Sequence, residues 1–324
     1  MDSSQILSPP IALAFFVLVV LIFYLLSRST SRNKAPEPSG AWPIIGHLHL
    51  LKGPILPHIT LASMADTHGP TFMLRLGQRQ ALVVSNWEVA KECYTTNDHV
   101  LASRPSSIAV QLMGYNYAMF GFAPYGSYWR QLRKLVMLEV LSNTKLQSLK
   151  NVRDFEISTS IKELYDAWAN KNKTQKGPIM VDMKQWFNNL TLNLVLRMIA
   201  GKRYYGETSA SDKSESRRWQ KAMRDFMRLL GLFVVEDAIP CLGWLGLHGY
   251  KKEMKNTFRE LDSIIQGWVE DHQKKKLSGE AEGEDDFIYM MLSTLEDAKI
   301  TDYDADTINK STCLVCILKF NICT

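Results

Sequence analysis

The residues best suited to chemistry fall in one ten-residue run, Tyr125-Gly126-Ser127-Tyr128-Trp129-Arg130-Gln131-Leu132-Arg133-Lys134. Trp129 and Arg133 are four apart, so on a helix they share a face. An indole N–H and a guanidinium aimed together form a donor pair for a carboxylate or phosphate. Taken alone, the run reads more readily as an amphipathic helix with a core tryptophan and solvated arginines. The five cysteines offer less. Cys93, Cys241, Cys313, Cys316 and Cys323 have no matching histidine pair for zinc and are too few for a disulfide scaffold. Cys313-Leu314-Val315-Cys316 has redox spacing but lies in an apolar run with no basic neighbour, which predicts buried, inert thiols. His47, His49, His58, His68, His99, His248 and His272 form no ligand constellation.

The elements that must hold these residues are mostly helical. Pro57 to His68 reads as a helix stopped by Gly69-Pro70. Thr71–Leu76 and Ala81–Ser85 read as strands around Gly77-Gln78-Arg79-Gln80, the only clear sheet signal. Ser85-Asn86-Trp87-Glu88 has capping-box spacing and opens a helix to about Asn97. Ser127 is expected to cap a helix through about Leu141. Asp182 is expected to cap another, with Met183, Trp186, Phe187, Leu190, Leu194 and Met198 as its apolar face and Gly201 as its stop. Trp219 to Gly231 and Lys251 to His272 read as further helices, and Lys274 to Asp286 as a charged loop. Asp302–Asp306 is an acidic helix start, and Thr307 to Leu318 continues as an apolar helix that nothing later in the chain covers. The chain therefore reads as incomplete.

Ahead of these elements, Ile11 to Leu26 are sixteen consecutive apolar residues, ~24 Å of helix. A cleaved signal peptide is the alternative. Asp2 in place of a basic start, the lack of a small-residue cleavage site and the following Arg28, Arg32 and Lys34 favour a single membrane anchor with the rest cytoplasmic. Pro36, Pro38, Gly40, Pro43 and Gly46 then make a semi-rigid arm, with Trp42, Ile44, Ile45 and Leu48 expected to pack onto the folded part. The predicted organisation is anchor 1–27, basic stop and arm 28–50, and one folded domain 51–324. The 324 residues are 46% hydrophobic with net charge +5, which excludes a disordered chain and shows no basic stripe for nucleic acid. On a cytoplasmic domain the glycosylation patterns at Asn172, Asn189 and Asn309 are chance matches.

Anchor, basic stop, the arm PEPSGAWPIIGH, LASRP at 101–105 and YGSYWRQLRKL at 125–135 arrive in this order. Together they resemble a microsomal plant cytochrome P-450, a haem-thiolate monooxygenase. MIAGKRYYG at 198–206 and the stretch at 229–255 resemble family eighty-two of those enzymes. The resemblance implies a mainly α fold with a small β-hairpin sheet behind a single transmembrane helix. It implies haem b, with Trp129 and Arg133 as donors to a haem propionate. It places Arg130 and Lys134 on a face that docks the NADPH–cytochrome P-450 reductase. The loop with Met113, Tyr115, Tyr117, Met119, Phe120 and Phe122 would line a pocket for a small apolar or aromatic substrate, with 226–244 roofing it. The location implied is the endoplasmic reticulum membrane.

The family's chemistry also needs a cysteine thiolate on the haem iron, in a glycine-rich loop that this sequence lacks. The Glu-x-x-Arg pair of the family's structural core helix is absent, and Lys319–Thr324 stands where the central helix should carry an acid/alcohol pair. The expectation is a family member whose chain as given is inactive. The alternative is a membrane-anchored, non-enzymatic fragment that binds the reductase or other monooxygenases.

Overall fold

The computed structural model describes residues 17–19, 35–52, 54–140, 142–174, 177–206, 212–240, 243, 249–279, 286–298 and 300–323. The expected anchor, Ile11 to Leu26, lies outside them except for residues 17–19, which are helical. Among the described residues no helix is long and apolar enough to cross a membrane. The chain forms two compact units, one of described residues up to Asp98 with those from Ala238 to Trp244, the other of the remainder.

In the first unit, α1 (Pro57–His68) has proline at its start and ends at Gly69, as its sequence predicts. Strands β1 (Thr71–Leu76) and β2 (Arg79–Val84) pair antiparallel, with Leu76 opposite Arg79. The turn is thus two residues, shorter than predicted. Gly77 alone has positive φ (65°), the glycine-first pattern that follows the right-handed twist of the strands. A Cβ there would sit 2.3 Å from the Ala238 carbonyl oxygen. Helix α2 (Trp87–Tyr94) is capped by Asn86, whose side chain accepts from Val89 N at 3.3 Å. Asn86, not Ser85, therefore starts the helix.

The arm docks largely by backbone; of the four apolar side chains expected to pack, Ile45 and Leu48 are half-buried. Trp42 and Ile44 stay more than half exposed. His47 N donates to Arg75 O at 2.6 Å and Gly77 N to Ile45 O at 3.0 Å. The wholly buried His47 accepts from Arg75 N through Nδ1 at 3.0 Å, so its Nε2 carries the proton given to Pro38 O.

The second unit is helical. It contains α3 (Ile108–Met113), α4 (Ser127–Leu135), a π-type turn (Val136–Val140), α5 (Asn143–Ser148), α6 (Lys150–Thr174), α7 (Met183–Ala200), α8 (Asp212–Leu230), α9 (Tyr250–Ser278), α10 (Phe287–Asp297) and α11 (Ala305–Cys323). The small hairpin of the first unit and these helices match the expected mainly α class. Helix α9 buries Met254, Thr257, Leu261, Ile264, Ile265, Trp268, Val269 and His272, the three-four repeat of a core-facing stripe. It extends six residues past the predicted end, so Lys274–Ser278 is helix rather than loop. Of the rest of that predicted loop, residues 280–285 lie outside the described residues.

Ser127 is the first residue of α4, not its cap; Gly126 holds the cap position without a side-chain bond. Asp182 caps α7 as predicted, accepting from Gln185 N at 3.1 Å, and Gly201 ends it at φ 62°. Its buried face differs from the predicted one. Leu192, Asn193, Val195, Leu196, Ile199 and Ala200 are buried, whereas Met183 and Phe187 are exposed. Helix α11 is covered after all, by elements that precede it: it packs against α7, α9 and α10.

The segment 198–206 gains a physical role here. Asn193, wholly buried, accepts from Tyr204 N at 3.2 Å and Tyr205 N at 2.9 Å and donates to Tyr205 O at 2.8 Å. Trp268 Nε1 donates to the Tyr204 hydroxyl at 3.0 Å, and the Trp219 and Trp268 rings lie 4.9 Å apart beside it. Arg203 reaches Glu156 and Glu163, tying the turn after α7 back onto α6.

Candidate functional site

Helix α4 separates two jobs by its period. Tyr128, Leu132 and Val136 recur at four-residue steps and are buried. Tyr125, Trp129 and Arg133 recur at the same step on another face. The Tyr125 and Trp129 rings lie 5.3 Å apart, and the Arg133 guanidinium carbon lies 5.0 Å from the Trp129 ring centroid. Arg130 lies 5.4 Å from the Tyr125 ring, whose hydroxyl is 3.2 Å from His99 Nδ1. Trp129 is half-buried, while Arg130, Arg133 and Lys134 are exposed. Among the described residues no carboxylate pairs with these three cations. A stacked guanidinium beside an indole N–H, with its charge unspent, is a donor set for an anionic group.

The loop from Gly114 to Phe122 joins α3 to α4 under strain. Tyr115, Asn116 and Tyr117 all have positive φ, 52°, 50° and 69°. Only asparagine among them enters that region readily, so the turn must be over-determined. Five hydrogen bonds do this. The Tyr115 hydroxyl donates to Asp262 Oδ1 at 2.9 Å, with the Lys310 ammonium 2.8 Å from the same oxygen. Tyr117 donates to Ser107 O at 3.3 Å. Tyr303 donates to Asn116 O at 2.8 Å. Ala118 O accepts from Tyr128 at 2.6 Å and from Ser311 at 3.3 Å. Burial first, then Asp262, pushes the Tyr115 phenol well up, and burial does the same to Tyr128, so both remain neutral donors.

Of the six residues expected to line a pocket, Met113 and Met119 are fully buried. Phe120 and Phe122 are half-buried against the core. Tyr115 and Tyr117 have their hydroxyls engaged in the loop's own bonds. Within the region expected to roof the pocket, Phe226 is buried; residues 241, 242 and 244 lie outside the described residues. Sequence reading missed Asp262, Tyr303, Lys310 and Ser311, which hold the loop. The available signal was a lysine and a serine inside the apolar run TINKSTCLVCIL.

Cys313 fits a ligand role poorly. Cys313 is wholly buried, donates to Asn309 Oδ1 at 3.4 Å, and has its thiol pushed far above the ordinary value by burial and then by Cys316. A thiolate is disfavoured there. Cys93 and Cys316 are half-buried and form no disulfide. Among the described residues no cluster of histidine, cysteine and carboxylate side chains could hold a metal ion. Asn309, one of the chance glycosylation matches, is wholly buried.

The cytochrome P450 family model matches residues 36–318, and the chain belongs to that family. More narrowly, it is a plant cytochrome P450 resembling family 82. It is 50% identical over 310 residues to strychnine-10-hydroxylase of Strychnos nux-vomica, covering 94% of this chain and 59% of the relative. It is 50% identical over 323 residues to demethylepipodophyllotoxin synthase of Sinopodophyllum hexandrum, covering 98% and 61%. Cytochrome P450 82A1 of Pisum sativum is 44% identical over 329 residues, covering 94% and 60%. The chain thus spans about three-fifths of the length of these relatives.

Proposed function

We propose that this chain is the helix-rich portion of a plant haem-dependent monooxygenase that oxidises a small specialised metabolite. Electrons would come from a membrane-bound NADPH reductase. The observation that carries this is the Trp129–Arg133 pair on α4, two donors on one face with no carboxylate partner among the described residues. In this reading the pair holds a haem propionate and fixes the edge of the cofactor against α4. Haem b, when bound with a thiolate ligand, supplies the oxygen activation of the family. Phe120 and Phe122, half-buried, supply apolar surface toward a substrate, Met113 and Met119 lie in the core, and the bonded Tyr115 and Tyr117 set the loop's shape. Hydroxylase names among the relatives, such as the strychnine and xanthotoxin enzymes, support an alkaloid, terpenoid or phenolic substrate.

The environments of Cys93, Cys313 and Cys316 support a chain that lacks the axial thiolate and is inactive as it stands. A ferrous–carbon monoxide difference spectrum of the chain in microsomes tests this, together with turnover by added reductase. No thiolate-type Soret band and no NADPH-dependent product are expected. Either signal would overturn the reading of inactivity.

A second reading rests on the exposure of Arg130 and Lys134. A basic helix face suits an acidic partner such as the reductase, so the chain would serve as a non-enzymatic binding protein at the endoplasmic reticulum, anchored through 11–26. Capture of the reductase, lost on Arg130→Glu with Lys134→Glu, is the expected result. Equal capture by parent and variant removes this reading.

A further inference from the structure

At the turn after α7, one phenol, two indoles and one carboxylate meet. Tyr204, Trp219 and Trp268 are all buried. The Tyr204 ring lies 6.0 Å from each indole, and the two indoles lie 4.9 Å apart. The Tyr204 hydroxyl donates to Glu215 Oε1. Trp268 Nε1 donates to that hydroxyl at 3.0 Å and to the same carboxylate oxygen at 3.2 Å. Trp219 Nε1 is buried with no acceptor among the described residues. The backbone of the phenol is fixed too: Tyr204 N donates to Asn193 Oδ1 at 3.2 Å, and Tyr204 O accepts from Gln220 Nε2 at 2.8 Å. A phenylalanine at 204 would fill the same space, and Trp268 would keep Glu215 as its acceptor. What the hydroxyl adds is a transferable proton held against a base.

We infer that Tyr204 is a one-electron oxidation site, the resting place of an oxidising equivalent that enters this aromatic core. Indole and phenol are the aromatic side chains that an outer-sphere one-electron oxidant, a metal complex or an organic radical, takes an electron from. Each holds the resulting charge poorly in a buried site unless its N–H or O–H proton leaves. An oxidised Trp219 has no base at its N–H. When Trp268 is the oxidised indole, an electron passes to it from Tyr204 while the phenol proton passes to Glu215 Oε1. The products are neutral Trp268, a Tyr204 phenoxyl radical and a protonated Glu215, so the cluster's net charge is zero before and after. Glu215 is half-buried and can return the proton to solvent. The effect is to spare the two buried indoles from irreversible oxidation.

Other tyrosines that face a base are less well placed. Tyr115 donates to Asp262 at 2.9 Å, but the Lys310 ammonium holds that same oxygen at 2.8 Å, and the ring beside Tyr115 is Phe258. Tyr125 has His99 at 3.2 Å and Trp129 at 5.3 Å, but Arg130 and Arg133 sit over those two rings and oppose a positive charge there. Arg218, whose charge reaches Glu215, gives its own bond to Glu260 at 2.5 Å. The inference rests on this geometry and not on the proposed activity.

The test is flash photolysis of the full chain with light absorbed by indole and not by phenol, cobalt(III) hexaammine taking up the ejected electron. Tryptophanyl absorbance should give way to tyrosyl absorbance, more slowly in deuterium oxide. Glu215→Gln, which keeps an acceptor oxygen but no base, should slow a portion of that conversion at least fivefold, and Tyr204→Phe should abolish the same portion. Peptide mapping after continued illumination locates it. Kynurenine-type products at Trp268 should build up at least threefold faster in both variants than in the parent. Tyr165→Phe, beside Trp168 on α6 at 5.6 Å, should raise products at Trp168 and leave Trp268 unchanged. Near-ultraviolet circular dichroism and melting temperature establish that each variant is folded at the working temperature. Conversion in Glu215→Gln at the parent's rate overturns the inference. So does a Trp268 product yield in Tyr204→Phe equal to the parent's.

Discussion

The guanidinium of Arg133 lies against the ring of Trp129, its central carbon 5.0 Å from the indole centroid. Stacking restricts the arginine before any ligand arrives, so less order is lost when it binds an anion. Arg133→Glu should weaken binding of iron protoporphyrin roughly tenfold to a hundredfold, the loss of one charge-assisted hydrogen bond of about 1.5–3 kcal/mol. Tryptophan quenching by titrated porphyrin measures it. The dimethyl ester of the same porphyrin, lacking the propionate charges, should bind parent and variant alike.

Arg203 donates through Nε to Glu156 at 2.8 Å and through both outer nitrogens to Glu163 at 2.8 Å. Arg197 Nε approaches the other Glu156 oxygen at 3.2 Å. Glu156→Ala would strip a buried anion from between two cations, at a cost of about 3–5 kcal/mol. Urea unfolding should move to a lower midpoint, with the fitted unfolding free energy falling by that amount. Arg203→Lys, which keeps the charge and loses the fork, should also destabilise, though less.

Asp304 accepts from Thr307 N at 2.8 Å and starts α11; that bond, chiefly, lowers its pKa below the ordinary value of 3.8. A lowered folded-state pKa means the cap's contribution is complete above the unfolded value and fades as pH falls through the folded one. Asp304→Ala should therefore cost about 1 kcal/mol at neutral pH. The gap between variant and parent should close only below pH 3.8. Paired urea titrations across that range read both numbers.

The strained turn at 115–117 gives an opposite pair of outcomes. Asn116→Val forces a β-branched residue into positive φ and should destabilise by about 1–3 kcal/mol. Asn116→Gly removes the steric cost and should stay within about 1 kcal/mol of the parent. Tyr303→Phe deletes the donor to Asn116 O and should speed amide exchange at 115–118 while α9 is unaffected. Thermal melts and exchange mass spectrometry check these.

Much of the frame is legible in local chemistry. Pro57 to His68, the hairpin, the Asp182 cap and the Gly201 stop follow from residues within a turn of each event, so their signals survive without tertiary context. Helix α6 does not. Its Glu156 and Glu163 break the apolar periodicity on the buried side, and its charges are compensated by Arg197 and Arg203, some forty residues later. The α7 face fails for a related reason. Met183 and Phe187 keep helical spacing, but what a helix buries depends on which neighbours it meets.

The sequence alone determined the family, the helical class and the Trp129–Arg133 face, because these depend on residue identity and on spacings of four or fewer. The tertiary structure decided what holds the strained loop, which side of α6 is buried and why Cys313 is inert. Those depend on partners such as Asp262, Tyr303 and Lys310, brought from 140 to 200 positions away, and on burial, which no local pattern encodes.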